Sequence, residues 1–95
     1  MRVYQLINDN NNPATNQFVI EHEGKTYFQS YDTLIAVKDG DNITISKDWD
    51  YSNTTRKHFY IFLRDYCGAC GTLRKKDIEY EIAQGNYKLV DKINF

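Results

Sequence analysis

The sequence has little of what constrains a chain covalently or carries it into a membrane. It contains two cysteines and one proline among 95 residues. Because Cys67 and Cys70 stand three positions apart, a disulfide between them would close no long loop, and we expect a reducing compartment. No apolar run reaches the roughly 18 to 20 residues that a membrane span needs, and Met1-Arg2-Val3-Tyr4 does not open a signal peptide. We therefore expect a soluble intracellular protein without a membrane partner.

An excess of one charge is also missing. Twelve basic residues stand against 13 acidic ones, which gives a formal net charge of −1. No overall field therefore draws the chain onto nucleic acid or anionic lipid. Aromatic residues are plentiful instead, at 15% of the chain, with eight Tyr and five Phe. Large rings supply much of the buried surface of a small domain, and tyrosines left outside are typical of protein interfaces.

The first half of the chain shows the alternation of short strands. The pattern predicts strands at Arg2–Ile7, Gln17–His22, Lys25–Ser30, Thr33–Lys38 and Asn42–Ser46. Turn signals at Glu23-Gly24 and Asp39-Gly40-Asp41 join neighbouring strands tightly, whereas the Asn-rich residues 8–16 predict a loop. Five strands joined in this way indicate an antiparallel meander.

The apolar spacing changes to that of a helix after Trp49. The segment from Thr54 to about Cys67 is predicted as the main helix, with Ser52 or Asn53 as its N-cap. The stripe expected to lie on the sheet is Thr55, Phe59, Phe62, Leu63 and Tyr66. On the opposite side we expect Arg56, Lys57, Tyr60 and Arg64, with both arginines facing water.

A shorter second helix is predicted from Leu73 to Gln84, with Thr72 as its cap. Tyr87 to Val90 is a candidate last strand. Strands followed by helices predict one α+β domain over residues 1–95, an antiparallel meander of about five strands packed against one main helix plus a short second helix.

Two strings in the sequence resemble a known family. They are Phe28-Gln29-Ser30-Tyr31-Asp32-Thr33-Leu34-Ile35-Ala36 and Trp49-Asp50-Tyr51-Ser52-Asn53-Thr54-Thr55-Arg56-Lys57-His58, followed by Phe62-Leu63. The sequence is similar here to small proteins encoded by tailed bacteriophages and prophages of Firmicutes, a domain family of unknown function. The resemblance implies phage origin and location in the host cytoplasm. It implies no activity, and the two cysteines lie outside its pattern.

No catalytic constellation stands out, so we predict that the protein is not an enzyme. There is no strand-elbow serine, Gly-rich phosphate loop or EF-hand spacing. The predicted partner contacts are Trp49, Tyr51, Arg56, Lys57, Tyr60 and Arg64. Two alternatives stay open: the residues before the helix only cap it and pin it to the sheet, or the helix face is merely a mixed, solvated one. Basic residues interleaved with tyrosine also suit a nucleic-acid backbone.

The Cys67-Gly68-Ala69-Cys70-Gly71 segment is half of a zinc knuckle. Zinc needs four ligands, and within the chain only His22 and His58 complete the set. Alternatively, two copies share four cysteines in a zinc-linked homodimer, or the two cysteines are small residues in a tight turn between helices and the protein has no cofactor.

These observations predict a non-enzymatic protein that occludes a surface of a host or phage protein. In the setting that the resemblance implies, an inhibitor of a host-defence CRISPR nuclease is one concrete form. Against such a nucleic-acid enzyme, four aspartates would imitate phosphates: Asp39, Asp41, Asp48 and Asp50. Two alternatives remain, a small nucleic-acid-binding regulator that uses the basic helix face and a structural dimer linked by zinc through Cys67 and Cys70.

Overall fold

A computed structural model describes all 95 residues, and a sheet of six strands organises them. The strands are β1 (Arg2–Ile7), β2 (Pro13–His22), β3 (Lys25–Ser30), β4 (Thr33–Asp39), β5 (Asn42–Ser46) and β6 (Tyr87–Val90). A 3₁₀ turn (Lys47–Asp50) leads from β5 into helix α1 (Asn53–Cys67), and helix α2 (Lys75–Ala83) precedes β6. This arrangement confirms the predicted α+β class.

The strands lie in the sheet in the order in which they occur along the chain. Each pairs antiparallel with its neighbour from β1 to β5, as the tight turns predict. The last strand differs, because β6 pairs parallel with β5 after the chain has passed through both helices. The meander is therefore confirmed, and the candidate strand at Tyr87–Val90 extends it by a crossover.

Two predicted element starts are wrong by more than one residue. β2 begins at Pro13 rather than at Gln17, and Pro13 pairs with Ile7 beyond an irregularity in the register. Proline is tolerated at the first position of a strand, where its missing N–H costs no ladder bond. α2 begins at Lys75 rather than at Leu73, because the Asp77 carboxylate accepts the Arg74 N–H at 2.9 Å and so sets the helix start.

The main core lies between the sheet and the helices. Four large side chains of α1 are buried there, Phe59, Ile61, Phe62 and Leu63. The Phe62 ring stacks on Phe28 of β3 with centroids 5.6 Å apart. Most of the predicted stripe is therefore buried; Ile61 joins it and Tyr66 is only partly covered. No helix combines the length and the hydropathy that crossing a membrane requires.

The opposite face of the sheet carries a much smaller cluster. Ile20 and Tyr27 pack there against Ile93 from the segment after β6. The Phe95 ring lies 4.9 Å from that of Tyr27, measured between centroids, and 5.5 Å from that of His22. The two helices thus cover one face, and the last residues cover part of the other.

Candidate interaction surfaces at the amino end of helix α1

The 3₁₀ turn before α1 is fixed from both sides. The Ser46 hydroxyl accepts the Asp48 N–H at 3.0 Å, which caps the turn. Trp49 is 5% exposed and its ring lies 6.0 Å from that of Phe59. The predicted contact at Trp49 is therefore corrected: its ring packs into the core and pins the turn to α1, as in the capping alternative.

Tyr51 and Ser52 follow that turn, and the side chain of Tyr51 is exposed whereas that of Ser52 bonds to the helix backbone. The Tyr51 side chain is 81% exposed. The Ser52 hydroxyl accepts the Thr55 N–H at 3.1 Å, so Ser52 rather than Asn53 is the N-cap. The buried Thr55 hydroxyl lies 3.2 Å from Ser52 Oγ and 3.1 Å from Ser30 Oγ at the end of β3. These bonds join the two strings that carry the resemblance.

On one side of the first turn of α1 lies a shallow cavity of about 370 Å³, which we call the basic groove. Its lining includes Asp9 from the loop after β1 and, from α1, Arg56, Lys57, Tyr60 and Arg64. Residues 71–73, between the helices, form its other wall. The structure therefore brings four of the six predicted contact residues together.

Most of the cations at the groove are already paired within the chain. Arg56 forms ion pairs with Asp50, and Lys75 Nζ lies 2.7 Å from the same carboxylate. Arg64 binds Asp9 at 2.7 Å and the neighbouring Asp65 at 2.9 Å. The expectation that both guanidinium groups face water holds for Arg64, whose side chain is 46% exposed, and is corrected for Arg56, whose side chain is 25% exposed.

The electrostatics at Asp50 follow from this pairing. Hydrogen bonds from Lys75 and then Arg56 hold the pKa of the Asp50 carboxyl below its usual range, although burial acts against them. Burial raises the pKa of Tyr60 above its usual range. Lys57 has no ion-pair partner, which makes it the unneutralised cation of the groove.

On the other side of the same turn lies a cavity of about 600 Å³, which we call the tyrosine pocket. Its rim carries Tyr31, Asp32, Asp48 and Tyr51, and its wall includes Thr54 of α1. Neither aspartate is part of an ion pair. The contacts predicted from the sequence include Tyr51 but neither Tyr31 nor Asp32, which separate β3 from β4.

The four aspartates predicted to imitate phosphates lie as two pairs at the two ends of β5. Asp39 and Asp41 flank the β4–β5 turn, whereas Asp48 and Asp50 follow the far end of β5. Five strand residues separate the two ends by roughly 17 Å at about 3.3 Å per residue. Asp50 is moreover paired with Arg56, so it is not free to imitate a phosphate, and imitation by the other three aspartates stays a prediction.

The two cysteines do not assemble a metal centre within the chain. Cys67 ends α1 and is partly buried, and this burial raises the pKa of its thiol to about 11, away from the thiolate that binds zinc or attacks disulfides. Cys70 is exposed. His58 Nδ1 lies 2.7 Å from the Thr54 carbonyl oxygen, and His22 packs beside Phe95.

No group of three or more His, Cys, Asp or Glu side chains is placed to hold a metal ion. The structure thus does not bring Cys67 and Cys70 together with His22 and His58. A four-cysteine site shared between two copies stays a prediction.

Comparison with known protein families finds a match over most of the chain. A family model described as a family of unknown function (DUF8033) matches residues 1–80. The match contains β1 to β5, α1 and both surfaces beside it, and it ends within α2. No curated protein and no solved structure matches the chain.

Proposed function

The chain belongs to the DUF8033 family, whose function is unknown, and we propose its function from its surfaces. We propose that it is a non-enzymatic, phage-encoded binding protein that occludes a surface of a host or phage protein. The basic groove carries this proposal, because it gathers Arg56, Lys57, Tyr60 and Arg64 around one concave surface. Arginine and tyrosine are also the residues that dominate binding energy at protein interfaces.

The groove suits an acidic segment of the partner. Lys57 offers an unpaired ammonium group at its wall. The bond between Arg64 and Asp9 is exposed on both sides, and exposed ion pairs add little stability. A partner carboxylate can therefore replace Asp9 on Arg64 at small cost, while the Asp50 pairs keep Arg56 in position.

A host-defence inhibitor in the host cytoplasm is the concrete form that we propose for the phage setting. A standard interface buries about 800 Å² on each partner. The chain exposes 5923 Å², so such an interface would take a modest part of its surface. With the aspartates divided between two ends of the sheet, a CRISPR nuclease would be met by the groove and not by imitation of a phosphate backbone.

The decisive experiment is capture of a partner from the infected host with the tagged chain at near-physiological salt. Lys57→Glu with Arg64→Glu reverses two exposed charges of the groove, and we expect the captured protein to be lost. Lys88→Glu with Lys92→Glu makes the same change in net charge at exposed positions outside the groove and should retain it. Equal retention by both variants, or no retained protein, would contradict the proposal.

A nucleic-acid-binding regulator is the second candidate, supported by the tyrosine among the cations of the groove. It requires affinity for single-stranded or duplex nucleic acid that falls steeply with salt and is lost with Arg56→Glu and Arg64→Glu. Asp9, Asp50 and Asp65 already neutralise much of the positive charge, which favours the protein partner.

A further inference from the structure

The tyrosine pocket is bordered by two unusually exposed rings. Tyr31 is 51% exposed and Tyr51 is 81% exposed. Neither ring pairs with another aromatic side chain, and neither has a cation over its face. Both ring faces are therefore open to a ligand, although each ring stands on a fixed backbone.

The backbone beneath Tyr31 is held on both sides. Its N–H donates to the Asn16 carbonyl oxygen at 2.7 Å, and its carbonyl oxygen accepts a bond of the same length from Gln29 Nε2. Tyr31 has a φ of +57°, a conformation that non-glycine residues seldom adopt. On the other rim, the Tyr51 N–H donates to the Asp48 carbonyl oxygen at 3.0 Å. Because the backbone is already ordered, binding should cost little further backbone entropy.

The charge of the pocket selects the ligand. Asp32 and Asp48 line it without ion-pair partners, and no Lys or Arg is among its lining residues. The neighbouring cavity shares Asp32 and Asp48 and adds Asp91, Lys47 and Lys92, so three carboxylates stand against two ammonium groups across the two cavities. The amino end of α1 disfavours a cation, but the Ser52 cap and the two carboxylates offset this effect.

The floor of the pocket offers no unpaired polar group to a ligand. The hydroxyls of Ser30, Ser52 and Thr55 bond to one another, so no buried donor or acceptor waits there for a partner. Recognition must therefore occur at the rim, through two ring faces and two carboxylates. A guanidinium group fits this set, because it stacks on aromatic faces and binds carboxylates through paired N–H groups.

We propose that the tyrosine pocket is a second docking site, which takes an arginine side chain from a protein partner. It lies across the first turn of α1 from the basic groove and has the opposite charge. It does not depend on the acidic partner proposed for that groove. The protein would thus present two neighbouring sites of opposite sign to partner surfaces.

The test is an NMR titration of the full chain with a glycine-flanked Arg-Arg peptide and with its citrulline counterpart, which has nearly the same shape without the charge. We expect saturable shifts of the amides of Tyr31, Asp32 and Tyr51 with the arginine peptide only. Tyr51→Ala should weaken binding by about threefold to fivefold, the size of an exposed cation–π contact. Tyr31→Asn, which tolerates positive φ, should do the same.

Charge variants complete the test. Asp48→Asn should weaken binding by a similar factor, whereas Asp39→Asn with Asp41→Asn, at the other end of β5, should leave it unchanged. Equal loss in both, equal binding of the citrulline peptide, an unaffected Tyr51→Ala variant or the absence of saturable shifts would each overturn the proposal. Folding of every variant is checked from its amide spectrum. Since no groove residue is altered, this outcome is separate from that of partner capture.

Discussion

The two surfaces beside the first turn of α1 use their charges in opposite ways. In the basic groove, Arg56 and Arg64 are tied to aspartates of the same chain. In the tyrosine pocket, Asp32 and Asp48 have no ion-pair partner, and each accepts a hydrogen bond from one neighbouring hydroxyl. The charged residues on a helix face, inferred from their spacing, therefore do not show how much charge is available to a ligand, because ion pairs neutralise part of it. Paired cations shape the groove, and unpaired anions remain to bind.

Thr55 stabilises the segment between the two surfaces, and its substitution should cause the largest loss in the free energy of unfolding among our predictions. Thr55→Val removes the hydroxyl that bonds to Ser30 and Ser52, and so leaves the buried Ser30 hydroxyl unpaired. We expect a loss of about 2 kcal/mol in the free energy of unfolding. Urea denaturation measures it, with the exposed Thr54→Val as the matched control. A loss of equal size at Thr54 would show that the hydroxyl bonds are not responsible.

The contrast between paired and unpaired carboxylates can be measured directly by comparing Asp50→Asn with Asp48→Asn. Asp50 binds two cations, so we expect its substitution to lower the free energy of unfolding by about 1 kcal/mol, the upper end for exposed ion pairs. Asp48 has none, and its substitution should change stability much less. Equal losses would remove the distinction between the two surfaces.

The stabilising effect of Asp50 should depend on pH. The pKa of Asp50 is lowered in the folded protein, so its stabilising effect is complete above the unfolded value of about 3.9 and is lost as the pH falls through the folded value. The difference in the free energy of unfolding between the parent and Asp50→Asn should therefore be constant from about pH 7 down to about pH 5 and shrink below about pH 4. A difference that persists in acid would exclude the ion pairs as its source.

The smallest effect is expected at Asp9. Asp9→Asn breaks an ion pair that is exposed on both sides, so unfolding should not change measurably. The same substitution removes a competing carboxylate from Arg64 and should strengthen capture of an acidic partner. A clear loss of stability would instead show that the pair holds the loop after β1 in place.

The parts of this architecture that depend on near neighbours in the chain were predictable. The alternating strands, the cap at Ser52 and the end of α1 at Cys67 are local signals, and the structure has each of them. The buried stripe of α1 was also visible in its spacing, apart from Ile61, which lies outside that stripe, lines the basic groove and is nevertheless buried.

The site itself depended on contacts that spacing does not encode. Arg64 meets Asp9 from a distant loop, and Tyr31 meets Tyr51 across a cavity between β4 and α1. Trp49 looked like an exposed anchor because no local pattern reveals that it packs on Phe59. Tertiary packing decides which charges are neutralised and which rings remain outside.

The parallel strand β6 has a consequence for how the molecule assembles. Its partner β5 precedes both helices, so this pairing must close a much longer loop than any hairpin of the meander does. Its outer edge is unpaired, and its residues are at most half-buried. We expect β6 to dock last and to open first, with its amides exchanging hydrogen faster than those of β2 and β3. Both surfaces beside α1 would then keep their shape while this edge of the sheet opens and closes.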